Sequence, residues 1–76
     1  MDESTIKKKF RELISLLDGC LTPSDMCKFR ERTRINGEEI DVEYGNGIEA
    51  TLSLSSPELT ARKVVAWLKR VKRSLN

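Results

Sequence analysis

The amino-acid sequence predicts one two-layer α+β domain spanning residues 1–76, in which a three-stranded antiparallel meander is covered on one face by an N-terminal and a C-terminal helix. Three observations predict this αβββα order. Apolar residues recur every three or four positions near both ends of the chain, as in amphipathic helices. They alternate with polar residues in the middle, as in strands. Two glycine-containing turns, Asn36-Gly37 and Gly45-Asn46-Gly47, divide that middle part into three segments.

The first helix is predicted over residues 4–18. Its apolar stripe consists of Ile6, Phe10, Leu13, Ile14 and Leu17. Ser4 or Asp2 can accept hydrogen bonds from the first free amides, and Asp18-Gly19 offers a residue that tolerates positive φ at the end. The following segment, Thr22-Pro23-Ser24-Asp25, also has the composition of a helix start. We predict a single short turn there rather than a second helix.

The first strand is predicted over residues 28–35, because a strand places all four basic residues of this segment on one face, whereas a helix would spread them. These residues are Lys28, Arg30, Arg32 and Arg34. Asn36-Gly37 suits a two-residue type I′ loop that leads into a second strand over residues 38–44. With that loop, the three arginines lie opposite acids across the hairpin: Arg30 opposite Glu43, Arg32 opposite Asp41, and Arg34 opposite Glu39.

The third strand is predicted over residues 48–54, where four apolar residues alternate with polar ones. A three-residue loop at 45–47 sets Val42 opposite Ala50 and Ile40 opposite Leu52. This register keeps the apolar side chains of the sheet on one face. An antiparallel sheet with one solvated face needs a cover on the other, so we expect both helices to pack on the apolar face.

The second helix is predicted over residues 57–75. Ser55-Ser56-Pro57-Glu58 has a serine cap and a proline in the first turn. The apolar stripe that follows consists of Ala61, Val64, Val65, Leu68, Val71 and Leu75.

Composition excludes several classes of protein. The chain has no histidine and only two cysteines, so a structural zinc site within one chain cannot be assembled and nucleophilic catalysis is disfavoured. We expect no catalytic residue, metal, cofactor or small-molecule substrate, and therefore no enzyme. No run of apolar residues could span a membrane and the N-terminus lacks a signal sequence, so we expect a cytoplasmic protein that does not bind membranes. Cys20 and Cys27 are predicted to be partly buried free thiols, with a disulfide as the less favoured alternative.

A band of cations on the second predicted helix is the main candidate for function. Arg62, Lys69 and Arg73 fall within about 40° of one another around the helix axis, and Arg70 and Lys63 continue the band. Lys7 and Lys8 of the first helix could extend it. Such a band suits nucleic-acid phosphates, and it also suits an acidic protein surface. Alternatively, the cations of the last turns only favour the helix dipole and solubility.

Trp67 lies at the edge of the apolar stripe, where it serves either as a core-boundary residue or as an exposed anchor for a partner. The charge is segmented along the chain, with six bases against one acid in residues 57–76. This segmentation also suits a protein-interaction module or an accessory subunit of a larger assembly. The free edge of a three-stranded sheet could pair two copies into a homodimer.

The αβββα order in a chain of 76 residues resembles that of double-stranded RNA-binding domains, and also that of the Alu-RNA-binding subunits of the signal recognition particle. The resemblance is one of element order. In "LSSPELTARKVV", Arg62 and Lys63 stand later than the lysine cluster with which the first family opens its last helix, and Glu58 precedes them. The resemblance implies a nucleic-acid-binding protein, with RNA favoured over DNA.

Overall fold

The computed structural model describes residues 2–44 and 47–75 and arranges them as three helices and three strands. The elements are α1 (Glu3–Asp18), α2 (Pro23–Arg32), β1 (Thr33–Asn36), β2 (Glu39–Glu43), β3 (Glu49–Ser53) and α3 (Pro57–Leu75). The strands form one antiparallel sheet in the order β1-β2-β3, and α1 packs along α3. The predicted two-layer α+β architecture and antiparallel meander are confirmed, with one helix more than expected.

Helix α1 begins at a side-chain cap and ends without a left-handed residue. The Asp2 carboxylate accepts a hydrogen bond from the Thr5 amide at 2.7 Å, and this bond lowers the pKa of Asp2. Leu13 and Leu17 of the predicted stripe are fully buried. At the C-terminus Gly19 has a φ of −83°, so the expected positive φ at Asp18-Gly19 is wrong. The amides of Cys20 and Leu21 instead close the helix by donating to the Leu17 carbonyl.

Helix α2 replaces the single short turn and the first part of the strand that were predicted. Its cap is the one expected, since the Thr22 hydroxyl oxygen accepts from the Asp25 amide at 3.2 Å and Pro23 opens the first turn. Met26 and Phe29 stand three residues apart, and both are buried. Burial of this pair favours a helix, whereas the alternating cations Lys28, Arg30 and Arg32 stay exposed. The prediction of a strand over residues 28–32 is therefore wrong.

The β1–β2 hairpin is shifted by two residues from the predicted register. Asn36 pairs with Glu39 rather than forming part of the loop, and the turn consists of Gly37 and Glu38. Gly37 adopts a φ of +61°. In this register Ile35 lies opposite Ile40, whereas the predicted register would have set Ile35 opposite Glu38. A shift by two leaves each side chain on its predicted face of the sheet, but it changes the residue opposite Arg34 from Glu39 to Asp41. Arg30 and Arg32, for which partners across the hairpin were also predicted, belong to α2 and not to the sheet.

The β2–β3 register agrees with the prediction. Ile40 pairs with Leu52 and Val42 with Ala50, while the Tyr44 amide donates to the Ile48 carbonyl at 2.8 Å. Gly45 and Asn46 of the predicted turn lie outside the described residues. Both Ile40 and Val42 are fully buried, so the apolar face of β2 forms the sheet side of the core.

One cluster of buried side chains joins the two layers. It consists of Leu13, Leu17, Met26, Phe29, Ile40, Val42, Leu54, Ala61, Val64 and Leu68. Helix α3 contributes the last three, and Val71 of the same helix is also buried. Leu75, the last residue of the predicted stripe, lies beyond the described side chains. The core thus orients α3, because its buried stripe turns the opposite side of the helix towards solvent.

Candidate nucleic-acid interface

The solvent side of α3 carries a band of positive charge, here called the basic face. It consists of the five residues Arg62, Lys63, Lys69, Arg70 and Arg73, and all five are exposed. Their positions follow from the helical period, because the buried residues of α3 occupy the opposite side. At about 1.5 Å of rise per residue, the band extends about 16 Å from Arg62 to Arg73.

The cations of the basic face form no ion pair within residues 2–44 and 47–75. Glu58, in the first turn, is the only acid of α3. Lys72 and Arg73 stand in the last turn, where positive charge also favours the helix dipole. The dipole does not account for Arg62 and Lys63, because they lie well before the last turn, to which its favourable effect on cations is confined.

Lys72 differs from the basic face, because it serves as a structural contact between two helices. Its ammonium nitrogen lies 2.6 Å from Oδ2 of Asp25 on α2. The hydrogen bond from Lys72 lowers the pKa of the Asp25 carboxyl. Local sequence patterns do not predict this pair, because the two residues are 47 positions apart and no local pattern connects them.

The three lysines of α1 take different roles. Lys7 lies 3.7 Å from the Glu3 carboxylate one turn earlier, and Lys8 is exposed. The extension of the basic face by Lys7 and Lys8 stays a prediction. Lys9 donates a hydrogen bond to the Ser55 carbonyl at 3.0 Å and so connects α1 to the segment before α3.

Trp67 packs against the edge of the core. It is half-buried against the core, and its ring centroid lies 5.2 Å from that of Tyr44 with the ring planes inclined by 58°. The Arg32 guanidinium lies 5.5 Å from the centre of the Tyr44 ring. This placement puts Trp67 at the core boundary, and its use as a partner anchor stays a prediction.

Tyr44 places its phenolic hydroxyl in the interior of this region. Among the described residues its buried hydroxyl has no hydrogen-bond partner. Burial raises the pKa of Tyr44, and the nearby Asp25 charge acts in the same direction, while Arg32 opposes them.

None of the four aromatic residues lies on the basic face. Phe29 is fully buried, Phe10 packs against the core, and Tyr44 and Trp67 pack on each other. The basic face therefore offers charge and hydrogen-bond donors, and it offers no ring on which a nucleic-acid base could stack.

Outside the basic face, the two thiols and the carboxylates are the groups that could carry chemistry. Both cysteines are free and exposed, not partly buried as expected, and the Cys27 thiol donates to the Glu31 carboxylate at 3.6 Å. In the described part of the chain, no three His, Cys, Asp or Glu side chains are grouped so that they could hold a metal ion. No helix in residues 2–44 or 47–75 combines the length and apolar character needed to cross a membrane.

Comparisons with protein families, with curated proteins and with solved structures find no match to this chain. The geometry and charge of the surface are therefore the features that bear on function.

Proposed function

We propose that this protein binds nucleic acid, RNA in preference to DNA, through the basic face of α3. The observation that carries the proposal is the concentration of five exposed cations on one side of a helix whose other side is held by the core. A helix fixed in this way presents its charges in a constant arrangement, so little order is lost on binding.

The phosphate backbone is the part of the nucleic acid that this surface suits. Each cation that contacts a phosphate releases condensed counterions, which favours binding and makes it depend on salt. Because all four aromatic side chains pack inward, stacking on unpaired bases is disfavoured and a duplex is the better ligand. We expect binding with little dependence on sequence.

The salt dependence gives a quantitative test. If all five cations contact phosphates of a duplex, the slope of log K against log salt is about −4.5. A rise from about 50 mM to about 200 mM salt then weakens binding about 500-fold. Electrophoretic retention or fluorescence anisotropy on duplex RNA and duplex DNA at several salt concentrations measures this slope.

Charge reversal on the basic face tests the site. Arg62, Lys69 and Arg73 changed together to glutamate are expected to abolish retention of duplex RNA at about 50 mM salt and to leave the far-UV circular dichroism spectrum unchanged. A matched control reverses three exposed cations on α1 and α2: Arg11, Lys28 and Arg30. Unchanged retention by the α3 variant would refute the proposal. An equal loss of retention in the control would show that binding depends on the net charge of the protein and not on the basic face.

A protein-interaction module is the second candidate function, and the exposed sheet edge supports it. β1 and β3 are edge strands, and Ile35 of β1 is 45 % exposed. An edge strand with an exposed apolar side chain can pair with the same strand of a second copy. Sedimentation equilibrium of the wild type and of Ile35→Lys at two salt concentrations tests this, and a strict monomer at high protein concentration would count against it.

A further inference from the structure

A groove runs between α1 and α3 beside the basic face. It has a volume of about 590 Å³. Its apolar lining includes Leu16, Ala61, Val65 and Ala66, while Arg62 and Lys69 contribute its cations. Leu16 is 40 % exposed although it is a large apolar residue, so a buried role in the core does not explain it.

The groove continues towards the start of α3. A second depression of about 410 Å³ shares Leu16 and Glu58 with it and reaches Ser55, Ser56 and Pro57. The combined channel follows α3 from Pro57 to Lys69, which corresponds to about 18 Å along the helix axis. An α-helix of about 12 residues has the same length.

We propose that this groove binds an amphipathic helix of a partner protein, with aliphatic side chains on its buried face and acidic residues beside them. The aliphatic side chains would cover Leu16, Val65 and Ala66, as helices do in other apolar grooves. The acidic residues would pair with Arg62 and Lys69. Glu58 lies at the other end of the groove, so the partner helix is oriented with its acidic residues towards Lys69.

Charge and shape distinguish this occupant from the alternatives. A second copy of this chain offers no suitable helix among the described residues, because α1 and α3 each expose a single large apolar residue, Leu16 and Leu59, and α2 exposes none. Nucleic-acid phosphates suit Arg62 and Lys69 but gain nothing from an apolar lining. The groove therefore gives this surface a second kind of ligand, a protein helix, in addition to the nucleic acid of the proposed function. It also makes nucleic acid and the partner helix compete for two shared cations.

Binding to a defined peptide tests the proposal. The probe is a fluorescein-labelled, stapled helical peptide of about 12 residues, with leucine at every third or fourth position and glutamates on the flanks. We expect Leu16→Gln to weaken its binding about tenfold, since one aliphatic contact is lost, and Arg62→Glu with Lys69→Glu to weaken it further. Leu59→Gln is the matched control, because Leu59 of α3 is likewise an exposed leucine, with 51 % of its surface accessible, and does not line the groove.

The two cysteines provide an independent readout of where the peptide lies. Cys20 lines the groove and Cys27 does not, and both thiols are exposed. The same peptide with a bromoacetyl group at its end should alkylate Cys20 faster than Cys27, with bromide as the leaving group. Free bromoacetamide corrects for the intrinsic reactivity of the two thiols.

Several results would overturn the proposal. These are equal binding of a scrambled peptide of the same composition, equal effects of Leu16→Gln and Leu59→Gln, and no preference for Cys20 over Cys27. A dimer that Leu16→Gln dissociates would place a second copy in the groove and would also overturn it. The nucleic-acid proposal is separate, because Leu16→Gln removes no charge and should leave duplex RNA binding unchanged.

Discussion

Replacing Lys72 with methionine removes the ammonium group that joins α3 to α2 and keeps most of the apolar stem. In the structure the nitrogen lies 2.6 Å from the Asp25 carboxylate, whose side chain is 16 % exposed, while that of Lys72 is 57 % exposed. Opposite charges about 4 Å apart attract by about 4 kcal/mol at an effective dielectric constant of about 20. Desolvation of the carboxylate and about 2 kcal/mol of lysine rotamer entropy oppose this attraction. We expect a net coupling of about 1 kcal/mol.

A double-mutant cycle measures this coupling. The free energy of unfolding is compared for the wild type, Asp25→Asn, Lys72→Met and the double variant by urea denaturation. The cycle cancels the separate effect of the Asp25 charge in the first turn of α2, which favours the helix dipole on its own. With a urea m-value of about 1 kcal/mol per molar for a small protein, a coupling of this size corresponds to a midpoint shift of about 1 M.

The pH dependence and a matched control decide whether the ion pair is responsible. Because Lys72 lowers the pKa of Asp25 in the folded state, the coupling is full above the ordinary value of 3.8 and is lost as the pH falls through the lower folded-state pKa. Lys69→Met removes an unpaired exposed lysine of the same helix and should change stability by less than about 0.5 kcal/mol. A coupling that persists at about pH 2, or an equal loss in Lys69→Met, would refute the reasoning.

Three further changes test other parts of the fold by urea denaturation. Tyr44→Phe removes a buried hydroxyl that has no partner among the described residues, so it should raise the free energy of unfolding by about 1 kcal/mol; a decrease of that size would show that the hydroxyl is satisfied. Gly37→Ala should lower the free energy of unfolding by about 1–2 kcal/mol, because φ is +61° while no neighbouring atom obstructs a Cβ. Gly37→Asn should cost less, since asparagine tolerates a positive φ, and equal losses in the two variants would contradict backbone strain as the cause. Phe29→Ala should lower the free energy of unfolding by about 3–5 kcal/mol, because the Phe29 side chain is fully buried. This is a large part of the total stability of about 4–11 kcal/mol that is typical of a 76-residue chain. A loss below about 1 kcal/mol would contradict the place of Phe29 in the core.

The terminal helices and the β2–β3 pair could be predicted because long, regular patterns define them. α1 and α3 each contain an apolar stripe several turns long, and the alternation of β3 permits one register that keeps Ala50 and Leu52 on the apolar face. α2 could not be predicted from its cations. Charged residues stay exposed on a helix as easily as on a strand, so their alternation carries little information about the backbone. Met26 and Phe29 decide the conformation, and their burial depends on the rest of the core.

The same distinction applies to the candidate sites. The exposure of Arg62, Lys69 and Arg73 follows from the helical period together with one buried stripe. The Asp25 contact with Lys72 and the groove between α1 and α3 depend on how separate elements are placed in space. Local sequence patterns describe the faces of single elements, and they do not describe such placements.

The passage from α2 to β1 has a consequence for the length of the chain. Arg32 ends the helix and Thr33 begins the strand, so no loop residue separates them, and the Thr33 hydroxyl donates to the Phe29 carbonyl in the last helical turn at 2.5 Å. One extra residue at this junction would exchange the two faces of β1, placing Arg34 on the apolar face of the sheet beside Ile40 and Ile35 on the charged face beside Asp41. An inserted residue should therefore be tolerated at the Gly37-Glu38 turn, whereas the same insertion between Arg32 and Thr33 should destabilise the fold. The Arg32–Thr33 junction thus fixes the spacing between α2 and the sheet.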